Sequence, residues 1–468
     1  MPRKPCPLRE AIAAAGASAG HLYGVRGTTD LAGLAHGSSL GDQLEELRGR
    51  SVLIAVKDPS PAALALLELD GVAARLVLCP ADLPPEHMPA VARAAGCDAA
   101  VVDSAAGVAG VAGVTGIDCC VTVGPELLPA AVRRIGSHDT EWILLTSGTT
   151  GVPRLVRHDL ATLTHALADA RRGTAPIVWG TFYDIRRYGG LQILLRALLG
   201  GSLVPAAPGE SVPEFLERAR AARVTHVSGT PSHWRKVLMS GAAAAIAPHY
   251  VRLSGEIADQ AVLDAVRATY PGAIVVHAFA STEAGVGFEV RDGCAGFPAS
   301  LLDAPGAEVR LTVREGTLRI HSRGNAHGYL GEDVVAFPRG PDGAIDTGDL
   351  IEQRSGRCYF LGRRGGVINV GGLKVYPEEI EAVINAHPWV RMSLVRSRRS
   401  PITGAVVIAD VVLADGKPGR ARPSPEELTH QLLQGCRQSL AAYKVPATIR
   451  VVPGLEVSAS GKLVRPNA

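Results

Sequence analysis

Residues 144–154 read LLTSGTTGVPR: an apolar run gives way to a loop of three threonines, a serine and two glycines. Such a run of small residues lets backbone N–H groups and short side chains converge on an anion, because no bulky side chain holds a phosphate away. A polyphosphate suits it. The spacing is not that of a Walker A loop, since Gly148 and Gly151 lie too close together and no Lys-Ser/Thr pair follows. Taken alone, the segment reads equally well as a polar turn that caps a helix.

Around this loop the chain has the balance of a globular protein. It has 468 residues, 47 % hydrophobic and 20 % charged, with a formal net charge of +3, enough for a sizeable core without covalent staples. The nearest approach to a block of one charge, VRSRRS at 395–400, is short and isolated, so neither nucleic acid nor a membrane surface is expected as a partner. Eight cysteines are scattered, and none forms a C-x-x-C pair or a zinc-spaced cluster, which predicts reduced thiols in a cytoplasmic protein. Arg9 and Glu10 interrupt the alanine-rich N-terminus, favouring a surface helix over a signal peptide. No uncharged apolar stretch approaches the roughly 20 residues of a membrane helix.

Short β-rich runs alternate with helical patterns: SVLIAV (51–56), PAALALLEL (61–69), ARLVLC (74–79) and DAAVVD (98–103). The rhythm returns with a predicted helix at 211–222, a strand at 224–229, a helix at 258–269 and a strand at 273–278. The fold class is therefore α/β with largely parallel sheets, whose ligand loops belong at the carboxyl ends of strands. After about residue 300, AEVRLTVREGTLRIHS reads as β-hairpins of a small β-rich subdomain. A domain boundary is expected near 362–366, where Gly365 and Gly366 make the backbone permissive, giving a large domain over 1–362 and a small α+β domain over 363–468. In the small domain a strand is expected at 367–370, a helix at 377–387, strands at 390–396 and 405–413, and a helix near 424–441.

Four further segments change the reading of the opening loop: FASTE (279–283), DTGDL (346–350), GRRGGVINVGGLKVYPEEIE (362–381) and SGKLVR (460–465). With TSGTTGVPR, and in this order, they resemble the core motifs of the adenylate-forming superfamily. It comprises acyl-CoA synthetases, adenylation domains of peptide synthetases and luciferases, and the resemblance spans roughly residues 50–465. It implies a large adenylate-binding domain, a small mobile domain carrying a catalytic lysine, and the use of ATP, Mg²⁺ and CoA.

The chemistry gives each motif a task. A carboxylate is a poor electrophile, and transfer of AMP from ATP gives it a leaving group. The site must then stabilise charge on the α-phosphate and on departing pyrophosphate. By resemblance, Thr146, Ser147, Gly148, Thr149, Thr150 and Gly151 cradle the β- and γ-phosphates, and Arg154 stands where the family usually has lysine, a planar fork in place of a point charge. Glu283 holds Mg²⁺, with Thr282 and Ser281 beside the α-phosphate. Phe279 and Ala280 replace the usual Tyr-Gly; a phenyl ring still stacks on adenine, and the methyl of Ala280 narrows the substrate floor. Gly255 and Glu256, in RLSGEI, form the adenine-side loop. Asp349 accepts from both ribose hydroxyls, and Arg363 adds a second ribose contact. Lys462 reaches to the attacking carboxylate and α-phosphate. Gly371 and Gly372 lie close to a pantetheine arm in the second half-reaction, after the small domain rotates. Gly365 and Asn369 depart from the family's usual hinge residue and lysine. Read alone, each motif has a plainer counterpart: a surface Thr-Glu pair, a hairpin turn at TGDL, a solvated tail lysine.

For the acid, Tyr183 and Asp184 fall on the family's aromatic-acidic pair. Asp184 either binds an ammonium or hydroxyl of the substrate or is tied up by Arg186 or Arg187. His233 and Trp234 are candidates for the pocket wall. The leading expectation is a Mg²⁺-dependent, AMP-forming ligase that joins a small or medium carboxylic acid to CoA. One alternative loads an amino or aryl acid onto a separate carrier-protein thiol; another is a degenerate nucleotide-binding scaffold. A homodimer is the one assembly entertained.

Overall fold

The computed structural model describes residues 6–15, 20–130, 138–146, 153–167, 176–198, 200–331, 336–370, 372–400, 404–414, 423–458 and 461–465. Ser147, Gly148, Thr149, Thr150, Gly151 and Gly371 lie outside them.

Among these residues two large sheets form the body of the chain. In one, the parallel strands Glu141–Thr146, Arg75–Leu78, Ser51–Ala55, Ala99–Val102 and Cys119–Thr122 are extended by antiparallel Arg154–His158 and Gly328–Leu330. In the other, Ile274–Ser281, Tyr250–Ser254, His226–Gly229, Ile177–Thr181, Gly201–Pro205 and His21–Tyr23 run parallel, with antiparallel Gly285–Val290 and Thr28–Asp30 at the edges. The predicted α/β class is the observed one.

The helices follow their sequence signals. Pro59–Leu69 starts where the Asp58 carboxylate accepts from the Ser60 N–H, with proline in the first turn. Apart from Ser60 and Glu68 it is apolar, and every residue of it is buried. It shares one core with Tyr188–Leu198 and with side chains of both large sheets, among them Val52, Leu76, Trp179 and Leu203. Each fully buried leucine there contributes on the order of 2 kcal/mol. Val212–Ala221 begins with a capping box between Ser211 and Glu214. The N-terminal helix Leu8–Ala15 is docked rather than superficial: buried Arg9 pairs with buried Glu68 at 2.9 Å, and Leu8 and Ile12 join the main core. The surface helix expected from the sequence is thus half interior, because Glu68 supplies the charge that lets an arginine go inside.

A five-stranded antiparallel sheet follows, built from Arg310–Arg314, Thr317–His321, Ile345–Arg354, Arg357–Arg363 and Phe297–Pro298. Beyond it come the hairpin Ile368–Val370/Leu373–Val375, the helices Pro377–Asn385 and Pro425–Ser439, and a sheet of Val390–Ser400, Gly404–Leu413 and Thr448–Val451. The apolar core of this last part draws its buried residues only from 368–449. Arg364–Gly366, between the two parts, is a short exposed turn, and a side chain at Gly365 would meet nothing within 4 Å. All eight cysteines are free thiols. No described helix is long and apolar enough to cross a membrane.

Candidate active site

The loop of 147–153 joins two antiparallel strands in which Thr146 faces Arg154, so Arg154 is held at the mouth of the loop by strand register. Its guanidinium lies 5.6 Å from the ring centre of Tyr329, with Nη1 3.5 Å from the phenol oxygen. Tyr329 arrives from the neighbouring strand, Gly328–Leu330, and donates its hydroxyl to Glu283 Oε1 at 3.1 Å. One polar chain therefore runs from the opening loop to FASTE. Sequence reading missed Tyr329, because a tyrosine in a three-residue edge strand carries no signal of what lies across from it.

His158 makes a second link. Burial pushes its imidazole down to about 4, leaving it neutral near pH 7. Its Nε2 lies 2.7 Å from the Thr282 carbonyl, an acceptor, which assigns the proton to Nε2. Thr162 Oγ1 lies 3.0 Å from Nδ1. The end of the strand that begins at Arg154 thus fixes the backbone of Thr282. Ser281 is turned inward, its Oγ accepting from the Ala284 N–H at 3.0 Å.

Arg154, Ser281, Glu283, Tyr329, Thr347, Gly348 and Arg363 line a common cavity of about 430 Å³. Residues from four of the five sequence motifs, scattered over 210 positions, meet there. Arg319, Arg339 and Arg364 line it too, a surplus of positive charge that suits a polyphosphate.

Asp349 and Arg363 face each other in the register of one hairpin, and Arg363 Nε donates to Asp349 Oδ1 at 3.3 Å. The other oxygen, Oδ2, is buried without a hydrogen-bond partner among the described residues. Burial raises the carboxyl above its ordinary range, and Arg363 pulls against that shift. An unpaired buried carboxylate oxygen is costly unless a donor arrives to fill it.

Lys462 enters from the C-terminal part. Its side chain crosses Gly255, where a Cβ would sit 3.3 Å from Lys462 Cε, and Gly255 holds φ +85°, so glycine serves there on both counts. The lysine keeps access to water in the cleft, yet the surrounding protein lowers its pKa, and the positive charge of Arg363 lowers it further. Glu256 and Asp349 oppose that shift. Water in the open cleft screens these terms.

Phe279 stacks on Phe360, with ring centres 5.2 Å apart and planes within 10°. It remains partly exposed, as does neighbouring Ala280. His233 is buried and pushed down to about 3 by burial and then by Lys236. Its Nδ1 accepts from the Thr230 N–H at 3.2 Å, and its ring stacks on Phe182. Trp234 is fully buried, donating to the Arg252 carbonyl at 3.3 Å, so it is core rather than pocket wall. Gly372 holds φ +87° at an exposed hairpin turn.

Two of the substrate candidates, Asp184 and Tyr183, have partners within the chain itself. Both oxygens of the Asp184 carboxylate are engaged: Oδ1 accepts from the Arg186 backbone at 2.9 Å and from its Nε at 2.6 Å, and Oδ2 accepts from the Ala81 N–H at 3.0 Å. Arg186 in turn donates to the Val56 and Lys57 carbonyls. Burial raises the Asp184 pKa, but Arg186 outweighs burial and holds the carboxyl below its usual range. Asp184 is a strut between a loop and the neighbouring sheet. Tyr183 is buried, and its hydroxyl donates to the Ser254 carbonyl at 2.8 Å, so it supports the start of the loop at Gly255 and Glu256 from behind.

Comparison with known proteins agrees with this geometry. The chain matches the AMP-binding enzyme family over residues 61–330 and the AMP-binding enzyme C-terminal domain over 379–462. It is 26 % identical over 379 residues to the fatty acid–[acyl-carrier-protein] ligase MmaC of Mycobacterium marinum, covering 72 % of this chain and 69 % of that protein. It is 27 % identical over 361 residues to the mitochondrial acyl-coenzyme A synthetase ACSM2A of Homo sapiens, covering 70 % of this chain and 61 % of that protein. To the 2-succinylbenzoate–CoA ligase of Bacillus velezensis it is 28 % identical over 345 residues, 70 % of this chain and 68 % of that protein. Among solved structures, the anthranilate CoA ligase AuaEII in complex with anthranoyl-AMP superposes with a TM-score of 0.79 at 17 % identity, over 98 % of this chain and 95 % of that one. The amide bond synthetase McbA of Marinactinospora thermotolerans gives 0.77 at 20 % identity, over 97 % of both chains. These two likenesses show the fold. The chain belongs to the AMP-binding enzyme family.

Proposed function

We propose that the protein activates a small or medium carboxylic acid as its acyl-adenylate at the expense of ATP and then transfers the acyl group to CoA. The observation that carries this reading is the unpaired, buried Oδ2 of Asp349, which shares a hairpin with Arg363 and lies within the field of Lys462. A ribose hydroxyl is the donor such an oxygen lacks. The names of the relatives, two CoA-linked and one carrier-protein-linked, point to the same chemistry.

In the first half-reaction a carboxylate oxygen of the acid bonds to the α-phosphorus, and the bond to the β-phosphate oxygen breaks, releasing pyrophosphate. Asp349 and Arg363 hold the ribose, the 146–151 loop and Arg154 hold the β- and γ-phosphates, and the exposed part of the Phe279 ring meets adenine. Ala280 borders the acid, and His233 walls its pocket. Lys462 brings an ammonium to the two anions that must approach each other, offsetting their repulsion. Glu283 fits one divalent cation such as Mg²⁺: one oxygen is steadied by Tyr329, leaving the other without a hydrogen bond among the described residues. No group of three or more His, Cys, Asp or Glu side chains that could hold a metal exists among the described residues. A hard ion held by one carboxylate would take its remaining ligands from phosphates and water. When bound, it would neutralise charge on the phosphates.

In the second half-reaction the CoA sulfur bonds to the acyl carbon, the bond to AMP breaks and the thiol proton is lost. We place the boundary between the moving parts at 362–366, on the strength of the separate core and the open turn at Gly365. With Asp184 engaged by Arg186, the residue expected to anchor a substrate ammonium is spent, which disfavours an amino acid as the substrate.

The test is pyrophosphate release from ATP across a panel of carboxylic acids, followed by mass detection of the thioester with CoA. Release with one or more acids and an acyl-CoA product is expected. Silence across the panel with ATP binding intact supports a scaffold instead. Release without a CoA product, but with acylation of a phosphopantetheinylated carrier protein, supports the carrier reading that the name of the M. marinum relative suggests.

A further inference from the structure

We propose that Glu256 and Thr230 form a seat that positions the Lys462 hairpin for adenylation and lets go of it for the thioester step. The inference rests on the reading above. Three contacts define the seat. Leu463, next to the lysine, donates its N–H to Glu256 Oε1 at 3.0 Å. Gly461, on the other side, offers its carbonyl to Thr230 Oγ1 at 2.7 Å. Between them the Gly461 backbone lies flat on His233, so close that a Cβ would fall 1.7 Å from His233 Cε1.

The seat is built before the hairpin arrives. Thr230 is the N-cap of Pro231–Met239, and its hydroxyl oxygen accepts from the His233 N–H at 3.0 Å while its hydrogen points outward to Gly461. His233 Nδ1 is occupied by the Thr230 N–H, which keeps the neutral imidazole in one tautomer. Glu256 Oε2 accepts from the Ser232 N–H at 2.9 Å, in the first turn of the same helix, where a carboxylate is favoured. Its Oε1 is thereby turned toward Leu463. Two hydrogen bonds flanking Lys462 fix the backbone that aims it.

The hairpin is also tied to its own domain: Arg465 makes paired hydrogen bonds to Glu381 at 2.9 and 2.7 Å. Rotation about 362–366 carries the Arg465–Glu381 contact along and breaks the seat. Glu256 and Thr230 are thus positioning residues specific to one of the two domain arrangements.

Thr230→Val keeps the shape but removes the donor to Gly461 and, with it, the cap acceptor for the His233 N–H; Thr230→Ser restores both. Losing the bond to Gly461 corresponds to about a 3- to 10-fold change in the step it positions. For Thr230→Val we expect kcat of ATP–pyrophosphate exchange to fall by about that factor at unchanged KM for ATP. Thioester formation from supplied acyl-adenylate should stay within about twofold, and Thr230→Ser should recover the exchange. Independently of chemistry, tryptic cleavage after Lys462 should quicken in Thr230→Val and in Glu256→Gln, whose amide satisfies only one of the two N–H groups. Equal losses in both half-reactions, failure of the serine variant to rescue, or unchanged cleavage in both variants overturns the seat. A wild type that never releases pyrophosphate, but whose cleavage responds to both variants, overturns the enzymatic reading and leaves the seat standing.

Discussion

The hydroxyl of Tyr329 donates to Glu283 Oε1 at 3.1 Å, while Arg154 lies against the same ring. The contact joins the strand that starts at Arg154 to the only acidic side chain of FASTE, and the other Glu283 oxygen accepts no hydrogen bond among the described residues, where the proposal places a cation. Tyr329→Phe removes the hydroxyl and little else. The expected outcome is about a tenfold loss in pyrophosphate-release kcat and a right-shifted Mg²⁺ dependence, with stability changed by no more than about 1 kcal/mol. A Mg²⁺ titration of the variant that overlays the wild type would show that Glu283 needs no such support.

Asp349 accepts from Arg363 at Oδ1 and keeps Oδ2 without a partner among the described residues, and the proposed function gives that oxygen to a ribose hydroxyl. Asp349→Asn leaves one acceptor where two are needed and turns a donor toward either Arg363 or the ribose. KM for ATP should rise by about 10- to 100-fold, the equivalent of about 1.5–3 kcal/mol for a hydrogen bond to a charged group. Because burial raises the carboxyl's pKa, nucleotide affinity should weaken as pH falls and Asp349 takes up a proton. Isothermal titration with AMP at several pH values checks both points.

Lys462 has no stabilising packing role comparable to its electrostatic one, since it lies in a cleft open to water beside Gly255. Lys462→Ala should therefore cut adenylation at least a hundredfold while AMP affinity shifts only a few-fold and the melting temperature stays put. Its lowered pKa adds a direction: the cation is lost as pH rises, so adenylation should decline on the alkaline limb earlier than for an ordinary lysine. A variant that retains full pyrophosphate release removes the lysine from the mechanism.

Much of this was legible in the sequence, for identifiable reasons. The helices at 211–222 and 377–387 carry their own start signals, a Ser211/Glu214 capping box and a first-turn proline with two glutamates, and they are found at Val212–Ala221 and Pro377–Asn385. Asp349 and Arg363 come from two short motifs each read as a ribose contact, and a single hairpin sets them face to face. What could not be read depends on register between distant strands and on which partner wins a contested group. Tyr329 reaches Glu283 because a three-residue strand adds to the sheet edge beside Arg154, and no periodicity announces such a strand. His158 holds the Thr282 carbonyl across 124 positions. Asp184 was an open choice between substrate and arginine, decided by the Ala81 N–H, which fills the second oxygen from over a hundred positions away.

Stability should fall on acidification below about pH 6.5. His158 and His233 are held neutral, with pKa values pushed down to about 4 and about 3. For a base whose folded pKa is depressed, the full stability is present above the unfolded pKa and is lost as pH drops toward the folded one, on the order of 3 kcal/mol per histidine. Asp70 works against them: burial raises its carboxyl to about 6 despite hydrogen bonds from the Leu8 N–H and Trp142 Nε1. Its contribution is present below the unfolded pKa and is lost as pH rises through about 6. Two histidines outweigh one aspartate, so the urea midpoint at pH 4.5 should lie below that at pH 7.5. A midpoint that rises on acidification would mean that Asp70 dominates.

Asp184→Asn separates a strut from a substrate anchor. The carboxylate is buried against Arg186, itself almost entirely inside and donating to the Val56 and Lys57 carbonyls. Removing one partner of a buried ion pair strands the other charge and costs about 3–5 kcal/mol. The variant should therefore lose stability by that order in urea denaturation, with its midpoint shifted at constant slope. Because Arg186 braces the loop after Ile177–Thr181, kcat for every acid in the panel should drop together rather than one acid losing KM. An anchor behaves in the opposite way, with a melting curve that overlays the wild type and a selective rise in KM for acids that carry an ammonium. The engaged oxygens of Asp184 favour the first outcome, since both already take hydrogen bonds from the described chain and the charge is paired with buried Arg186.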